Sequence, residues 1–270
     1  MPARPITFLS DYGLADEFVG VVHAVIARIC PEARVIDFGH GVGRQDVLGG
    51  ALMLARALPY APPGVHLAVV DPDVGARRRA LGLRTAQEDR LLVGPDNGLL
   101  LPAAERFGGV AEAVDLSASP WRLEPVSATF HGRDVFAPVA ARLAAGAALA
   151  EAGRPLEPDE LVRLDMPAAR VDDGALVTVA TGRDRYGNVA LAAGHAELAQ
   201  AGLLLGRRIA VRTGNRRVLG VVARTFADVM PGALLLYEDA GGALALAVNG
   251  GDAAALLGVA VGAELRVEPA

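Results

Sequence analysis

The sequence has a single cysteine, Cys30, and few aromatic residues, which make up 4% of its 270 positions. One cysteine excludes a disulfide within the chain and is typical of proteins from a reducing compartment. Positive charge is also in the minority, because 26 Lys and Arg stand against 31 Asp and Glu, a net charge of -5. Since nucleic-acid-binding proteins are usually basic, this balance argues against that class of partner.

Long apolar runs are missing, and none reaches the length that a membrane span requires. The N-terminal stretch MPARPITFLSDYG contains no apolar core of a signal peptide. We therefore expect a cytoplasmic protein that does not contact a membrane. With 52% hydrophobic residues the composition is globular, and the length suits one large domain or two modest ones.

The common cofactor fingerprints are missing too. The sequence contains no G-x-x-x-x-G-K-[ST] loop and no early G-x-G-x-x-G, so neither a P-loop nor a standard dinucleotide site is predicted. It also lacks the G-x-S-x-G motif of a nucleophile elbow. We expect a protein without a bound cofactor.

The pattern of apolar residues divides the chain in two. Up to about residue 150, strand-like runs alternate with helix-like runs, and this order predicts an α/β domain over residues 1–165. Its sheet is expected to be mostly parallel and flanked by helices. Residues 151–174 are rich in proline and charge and are predicted to be a linker. Short strands with turn signals over residues 175–270 predict an all-β domain, a small barrel or sandwich.

Polar side chains follow four of the predicted strands in the first domain. They are Asp11 after ITFLS, Asp37 after RVI, Asp71 after LAVV, and Asp96 with Asn97 after LLVGP. Each one alone could be a helix cap or a turn residue. Ligands of open parallel sheets bind beyond the carboxyl ends of the strands, so together these residues predict a polar crevice along that edge.

One of these carboxylates is followed by a run of arginines. In HLAVVDPDVGARRRALG, Asp71 ends an apolar run, and Arg77, Arg78 and Arg79 come one short turn later. A buried carboxylate is costly unless it is paired, and arginine is its best partner. On this stretch alone, a structural ion pair and a functional site both remain open.

A metal site is an alternative for the same crevice, because Asp11, Asp37, His40, Asp71 and His131 could form an Asp/His cluster. No H-x-H or H-x-x-x-H spacing supports this alternative, and the arginines that follow Asp71 would repel a cation. We therefore predict no metal ligand.

Six motifs carry a resemblance to a known family: FLSDYG, VVDPDVGARRR, PDNG, TFHGRDVFAP, DRYGN and AVNGG, in this order. They resemble the S-adenosylmethionine hydroxide adenosyltransferases, which are S-adenosylmethionine (SAM) hydrolases related to the fluorinating and chlorinating enzymes. The resemblance covers essentially the whole chain. It implies an N-terminal α/β domain with the catalytic residues, a C-terminal barrel-like domain that binds adenine and methionine, and a homotrimer. The substrate would lie between the first domain of one subunit and the second domain of its neighbour.

The resemblance also implies a catalytic triad of Asp71, Arg78 and His131 and a reaction. Water or hydroxide attacks C5′ of the ribose, and SAM is hydrolysed to adenosine and L-methionine. Methionine leaves as a neutral thioether, so the site has to position and activate a water and needs no general acid. In this scheme His131 is the base, alone or as an orienting group, and Asp71 aims the water. Arg78 holds Asp71 ionised and adds a donor to the developing hydroxide.

The substrate contacts that the resemblance implies involve both domains. Asp11 would take both ribose hydroxyls, and Asp184 in DRYGN would meet the methionine amino group. Asn188 would read the adenine edge. The residues expected to complete the adenine site are Phe226, which otherwise belongs to the core, and the backbone around Val248 and Gly250.

Three positions stay open at this point. Asp16 is either a supporting residue behind the site or an N-terminal cap of the next helix. Asp73 stands where the family usually has glycine and is otherwise an exposed turn residue. Asp239-Ala240-Gly241 stands where the family often has serines that bind the methionine carboxylate, so either backbone N–H groups bind this carboxylate or the affinity is lower.

Two other functions compete with the hydrolase. A halide-using adenosyltransferase of the same fold would make 5′-halo-adenosine, but such relatives lack the Asp-Arg-His set. The fluorinating branch carries Tyr and Thr where this chain has Asp71 and Val74. A non-catalytic adenosine- or SAM-binding protein would be expected to have a broken triad, and here the triad is intact.

Overall fold

A computed structural model describes residues 2–270 and divides them into two compact units, an N-terminal unit up to Leu164 and a C-terminal unit from Asp165. The strands of the N-terminal unit are β1 Ile6–Ser10, β2 Val35–Gly39, β3 Val65–Val69, β4 Ala80–Thr85, β5 Leu91–Pro95, β6 Val110–Asp115 and β7 Arg154–Leu156. Its helices are α1 Phe18–Ile29, α2 Val47–Ala57, α3 Leu101–Glu105 and α4 Ala137–Ala144. Short 3₁₀ segments cover Leu58–Tyr60, Leu149–Ala152 and Pro158–Glu160, and one π-helical turn covers Gly132–Phe136.

The N-terminal unit contains one seven-stranded sheet in the order β2-β1-β3-β5-β4-β6-β7. The prediction of an α/β fold with a helix-flanked sheet is confirmed. The neighbours β2, β1, β3 and β5 run parallel, whereas β4, β6 and β7 pair antiparallel, so the sheet is less parallel than expected. A short loop joins β4 to β5, and a connection of that length leaves room only for an antiparallel pair.

The core of this unit lies on both faces of the sheet. Successive side chains of a strand point to opposite faces, so a central strand such as β1 is apolar nearly throughout. Phe8 packs into the cluster covered by α1 and α4, and the next residue, Leu9, packs into the cluster covered by α2 and α3. Burial on both faces fixes the register of β1 against its neighbours.

The predicted linker over residues 151–174 is wrong in part. Arg154–Leu156 forms β7, which pairs with β6 in the N-terminal unit. Arg170–Asp172 forms β8, which pairs with the strand that follows it in the C-terminal unit. The sequence of β7 does not show a strand-like pattern, because it contains proline and charge. Pro155 lacks a backbone N–H, and proline is tolerated only where a strand lies at a sheet edge.

The C-terminal unit is a closed barrel. Its remaining strands are β9 Ala175–Arg183, β10 Val189–Gly194, β11 Arg208–Thr213, β12 Arg216–Val222, β13 Leu234–Glu238, β14 Ala243–Val248 and β15 Glu264–Pro269. Its helices are α5 His195–Gln200 and α6 Ala253–Leu257, and a 3₁₀ turn covers Phe226–Asp228. The sheet runs β10-β14-β13-β12-β11-β15-β9, and β9 pairs again with β10, which closes seven strands; β8 lies outside against β9. The barrel-like prediction is confirmed.

Membrane-spanning helices are not found among residues 2–270, because none of the helices there has both the length and the apolar character to cross a bilayer.

Candidate active site

The turn after β3 brings Asp71 and Arg78 into direct contact. Arg78 Nε donates to both carboxylate oxygens of Asp71, at 2.9 and 3.0 Å, and Arg78 Nη2 donates to Asp71 Oδ2 as well. The Asp71 and Arg78 side chains are only 5% and 7% exposed. A carboxylate buried to this degree needs its charge balanced, and the forked guanidinium supplies the charge and the donors together.

Gly75 allows this turn to lie directly against the loop that carries His131. Its φ is +80°, and a Cβ added there would stand 2.2 Å from the carbonyl oxygen of Ala128. No other residue type fits a contact this close, and a positive φ also favours glycine. The two loops that hold the predicted triad are therefore packed backbone to backbone.

Arg78 also contacts His131 and thereby defines its protonation. Arg78 Nη2 lies 2.9 Å from His131 Nδ1. Guanidinium nitrogens only donate, so Nδ1 is the acceptor and the ring proton of the neutral imidazole resides on Nε2. Burial lowers the pKa of His131, and the charge of Arg78 lowers this pKa further. Asp71, Arg78 and His131 form one hydrogen-bonded chain in which His131 is neutral and offers Nε2–H as a donor.

The π-helical turn that follows His131 is anchored by Asp134. The Ser127 backbone N–H donates to Asp134 Oδ2 at 2.8 Å, and Arg133 Nε donates to Oδ1 at 2.6 Å. Burial alone would raise the pKa of Asp134, but the hydrogen bonds from Arg133 and Ser127 hold it below its usual value. An ionised Asp134 thus ties the start of this loop to its end. Wide turns of this kind are frequent at functional sites.

Tyr12 connects the triad to Asp11. A Cβ on Gly132 would stand 2.1 Å from the Tyr12 hydroxyl, so this hydroxyl lies against the π-helical turn. Burial raises the pKa of Tyr12 above its usual value, and the negative charges of Asp71 and then Asp11 raise this pKa further. Tyr12 is therefore a protonated phenol placed between two carboxylates.

Asp11 lies in a cavity of about 480 Å³. Its Oδ2 accepts a hydrogen bond of 3.0 Å from the Gln45 backbone N–H, which leaves Oδ1 for another donor. Asp16 lines the same cavity and does not cap α1, whose N-cap residue Glu17 makes no side-chain capping bond. The full lining is Asp11, Tyr12, Asp16, Phe18, Arg44 and Gln45.

The other predicted polar residues of the sheet edge have different roles. Asp96 is buried and pairs with Arg79, whose Nε donates to its Oδ2 at 2.8 Å, so this is a structural ion pair. Asn97 Nδ2 donates to the Val70 carbonyl. Asp37 lies inside β2, opposite Phe8, and not beyond the strand end as expected. Its position follows from β2 continuing to Gly39 in spite of the charge.

Asp73 is exposed in the turn between Asp71 and Arg78. Together with Arg77, Arg78 and Asn97 it lines a second cavity of about 450 Å³, which does not include Asp11. Its own backbone carbonyl accepts from the Ala76 N–H, as in an ordinary turn. The structure thus places Asp73 beside the triad in a solvent-exposed position.

In the C-terminal unit, the residues expected to bind adenine line one cavity. It has a volume of about 490 Å³, and Asn188, Phe226, Val248 and Gly250 all contribute to its wall. Phe226 is 42% exposed, so it does not belong to the barrel core. The centre of its ring lies 5.3 Å from that of Tyr237. An exposed aromatic face beside an amide is suited to a flat heterocycle.

Asp184 holds Asn188 in place. Asp184 Oδ1 accepts from the backbone N–H groups of Tyr186 and Asn188, at 2.8 and 2.9 Å, and Oδ2 accepts from Asn188 Nδ2 at 2.7 Å. The amide orientation of Asn188 is therefore fixed, with its Oδ1 turned away from the carboxylate. The charge of Asp184 also contributes, after burial, to raising the pKa of Tyr237.

The loop that replaces the expected serines closes on itself. Asp239 Oδ1 accepts from the backbone N–H groups of Gly241 and Ala243, at 2.8 and 3.1 Å. The Gly241 N–H belongs to the group of donors that was expected to bind the methionine carboxylate. Asp239 therefore competes for the backbone donors that a bound methionine carboxylate would need.

Two family models match the sequence and cover most of it. The SAM hydroxide adenosyltransferase N-terminal domain matches residues 6–153, and the C-terminal domain of the same family matches residues 181–266. The chain belongs to the SAM hydroxide adenosyltransferase family.

Among curated members of this family, the chain is 53% identical over 269 residues to a protein of Salinispora tropica named (R)-S-adenosyl-L-methionine hydrolase, with 98% of each chain covered. It is 38% identical to the Thermus thermophilus protein of the same name, with 98% of this chain and 99% of the relative covered. A protein of Actinoplanes named Fluorinase is 31% identical, with 92% and 93% covered. The family therefore includes relatives that are named for two different activities.

The fold agrees with solved structures of similar sequence. A conserved protein of Thermotoga maritima superposes with a TM-score of 0.90 at 37% identity, covering 97% of this chain and 99% of that one. A conserved protein of Thermus thermophilus superposes with a TM-score of 0.76 at 38% identity, covering 98% and 99%.

Sequence reasoning missed several residues of these SAM hydroxide adenosyltransferase cavities. Tyr12 and Tyr186 both line cavity walls, and Gln45 fixes Asp11 through its backbone N–H. Each tyrosine stands inside a motif, FLSDYG or DRYGN, and this position was the available signal. The sequence contains no signal for Gln45, because its contact uses the backbone N–H and does not depend on the type of side chain.

Proposed function

We propose that this protein hydrolyses SAM to adenosine and L-methionine by attack of water on C5′ of the ribose. The observation that carries the proposal is the buried chain of hydrogen bonds Asp71–Arg78–His131. It occurs in a chain 53% identical to a protein named (R)-S-adenosyl-L-methionine hydrolase.

The triad suits the activation of a water. Arg78 balances the charge of the Asp71 carboxylate, and each oxygen of a carboxylate accepts more than one hydrogen bond, so Asp71 can also accept one from a water. His131 Nε2–H can donate to the same water, which aligns a lone pair with the reacting carbon. We assign His131 as the orienting group rather than the base, because its Nδ1 is already engaged by Arg78.

The bond changes balance without a further reagent. The water oxygen bonds to C5′ while the C5′–S bond breaks, and the electron pair of that bond neutralises the sulfonium. The water loses one proton, which Asp71 accepts and passes to solvent. Because the leaving thioether is neutral, this chemistry requires no general acid and no redox cofactor.

The two cavities supply the substrate contacts in this proposal. Asp11 binds the ribose hydroxyls through the carboxylate oxygen that Gln45 leaves free. Asn188, Phe226 and the backbone at Val248 and Gly250 hold adenine, and Asp184 attracts the methionine ammonium. Since Asp184 also binds Asn188, adenine recognition and ammonium recognition depend on one carboxylate.

We also propose that the protein is a cytoplasmic homotrimer. In this arrangement the N-terminal unit of one subunit and the C-terminal unit of a neighbour contribute to each active site. The single cysteine favours a reducing compartment.

Product analysis in H₂¹⁸O tests the reaction. The protein is incubated with each sulfur epimer of SAM, with and without fluoride or chloride. We expect the R epimer, which the hydrolase relatives are named for, to yield adenosine that carries ¹⁸O at C5′ and unlabelled methionine.

The halide arm separates the hydrolase from the halogenating alternative. A halide beside ionised Asp71 would meet a like charge at short range, which costs on the order of several kcal/mol in a dry site. We therefore expect no 5′-halo-adenosine. Formation of halo-nucleoside at a rate comparable with adenosine would favour the activity that the Actinoplanes relative is named for, and the absence of any turnover would favour a binding protein.

A further inference from the structure

A second cluster of titratable side chains lies outside the triad. His23 on α1, Asp37 on β2 and His40 just after β2 place three ligand atoms within 4.8 Å of one another. His23 Nε2 is 2.9 Å from Asp37 Oδ1, and His40 Nε2 is 3.1 Å from the same oxygen. Two imidazole nitrogens thus lie within 3.1 Å of one carboxylate oxygen.

His40 is the member of this cluster with an unsatisfied atom. Its side chain is 2% exposed, and the centre of the Phe8 ring lies 4.6 Å from the centre of its own. Among residues 2–270, His40 Nε2 has no hydrogen-bond partner, although Asp37 Oδ1 is near, because the ring does not point this nitrogen at that oxygen. A buried polar atom without a partner is costly, so its position calls for a ligand that satisfies it.

The other ring nitrogen of His40 is already fixed. His40 Nδ1 lies 2.8 Å from Ser10 Oγ, which also accepts from the Tyr12 backbone N–H at 3.3 Å. If Ser10 accepts from Nδ1–H as well, the lone pair of Nε2 is free to bind a ligand. An outer hydrogen bond of this kind is the usual support of a metal-bound histidine.

We propose that His23, Asp37 and His40 bind one divalent transition-metal ion of the zinc type. Two imidazoles and one carboxylate are a donor set that Zn²⁺ and Co²⁺ accept, with the remaining positions open to water. The exposed fractions of His23 and Asp37, 35% and 41%, leave a path from solvent to the ion. This proposal replaces the sequence-based expectation of no metal ligand.

The H-x-H and H-x-x-x-H spacings did not indicate this site, because its ligands come from separate elements. His23 is supplied by α1, whereas Asp37 is held by the pairing of β2 with β1. The backbone near His40 also matters, since its carbonyl accepts from the Gly13 N–H at 2.7 Å. A bound ion would therefore join α1 to β2 and to His40, whose backbone is hydrogen-bonded to the loop after β1.

Cobalt binding to the tag-free, metal-stripped protein tests the site. Co²⁺ is titrated into the wild type, His23→Ala and Asp37→Asn, and visible d–d absorption reports coordination. The partly exposed positions of both residues favour folding of the variants, which circular dichroism checks. We expect one Co²⁺ per wild-type chain, displaced by Zn²⁺, and affinity at least about tenfold weaker in each variant.

His195→Ala is the matched control. His195 is also a surface histidine beside a carboxylate, with Nδ1 3.6 Å from Glu238 Oε2, but among the described residues this pair has no third ligand group close to it. Its removal is expected to leave the affinity for Co²⁺ and the displacement of Co²⁺ by Zn²⁺ unchanged. Equal affinity of His23→Ala, Asp37→Asn and the wild type, or a wild type that binds no Co²⁺, would overturn the proposal.

Discussion

At the scale of single residues, Arg78 contacts both other members of the triad. It offers only donors, so it pairs with the carboxylate oxygens of Asp71 and with the unprotonated Nδ1 of His131 at the same time. The Arg78 guanidinium also lies 5.2 Å from the centre of the Phe136 ring, which restricts it to this position. Replacing Arg78 by lysine would keep the charge and lose the fork that joins the two partners.

His131 variants distinguish a donor from a base. A glutamine at this position can accept from Arg78 and still donate to a water, but it cannot take up a proton at neutral pH. We expect His131→Ala to lower turnover by about 10²- to 10⁴-fold and His131→Gln to recover at least about tenfold of that loss. Steady-state rates with SAM measure both; equal loss in the two variants would identify His131 as the base.

The acid limb of the wild-type pH–rate profile, where activity is lost at low pH, also tests the role of His131. Burial and then Arg78 lower the pKa of His131, so its neutral form persists below the usual histidine pKa of about 6.5. Protonation would place a proton on the nitrogen that accepts from Arg78 and break the chain. Activity is therefore expected to hold as the pH falls through about 6.5 and to be lost only at a more acidic pH, and this limb should be absent in His131→Gln.

At the scale of elements, the turn between Asp71 and Arg78 depends on a close approach at Gly75. An alanine there would push a Cβ to 2.2 Å from the Ala128 carbonyl oxygen and would keep an unfavourable φ of +80°. We expect Gly75→Ala to cost about 1–3 kcal/mol of unfolding free energy and to lower turnover, because the turn carries both Asp71 and Arg78. Urea unfolding and steady-state kinetics measure the two effects.

Gly109→Ala is the control that separates the cost of a positive φ from the cost of a close contact of the added Cβ. Gly109 has a φ of +84° in the same unit, but a Cβ there would meet no atom within 4 Å. Gly109→Ala is expected to lower the free energy of unfolding by only about 1 kcal/mol, which is the cost of the positive φ, and to retain full turnover. If Gly75→Ala and Gly109→Ala behaved alike, the packing of the two loops would not matter for the site.

The elements that could be predicted from the sequence are those with a distinct apolar pattern. Amphipathic α1 and the buried β1 are examples, since the apolar pattern of each fits one type of element only. β7 could not be predicted, because its pairing with β6 is decided by residues far away in the sequence. Asp71, Arg78 and His131 were predicted from motifs and are hydrogen-bonded to one another in the structure, whereas the backbone contact of Gln45 depends on the loop conformation alone.

At the scale of the whole molecule, the proposed trimer predicts rescue between two inactive variants. His131→Ala damages only the N-terminal contribution, and Asp184→Ala/Asn188→Ala damages only the C-terminal one. In trimers formed by co-expression at equal amounts, random assembly would restore about a quarter of the sites, because each site needs one intact half from each of two neighbours. We expect that fraction of wild-type activity.

The matching control mixes the purified variants after assembly, when subunits no longer exchange. Activity should then stay at the level of the separate variants. If co-expression also restores none, each site lies within one chain, and the shared-site proposal is wrong even if the protein is a trimer.

The two ends of the N-terminal sheet carry a consequence for the concentrated protein. Open sheet edges can template the addition of strands from other molecules, which leads to aggregation. Here one edge is β2, with the charged Asp37 in its middle, and the other is the three-residue β7, where Pro155 offers no N–H. Both are features that oppose edge-to-edge growth. Crowded solutions of this enzyme should therefore remain clear, with chains meeting through side-chain surfaces instead of shared strands.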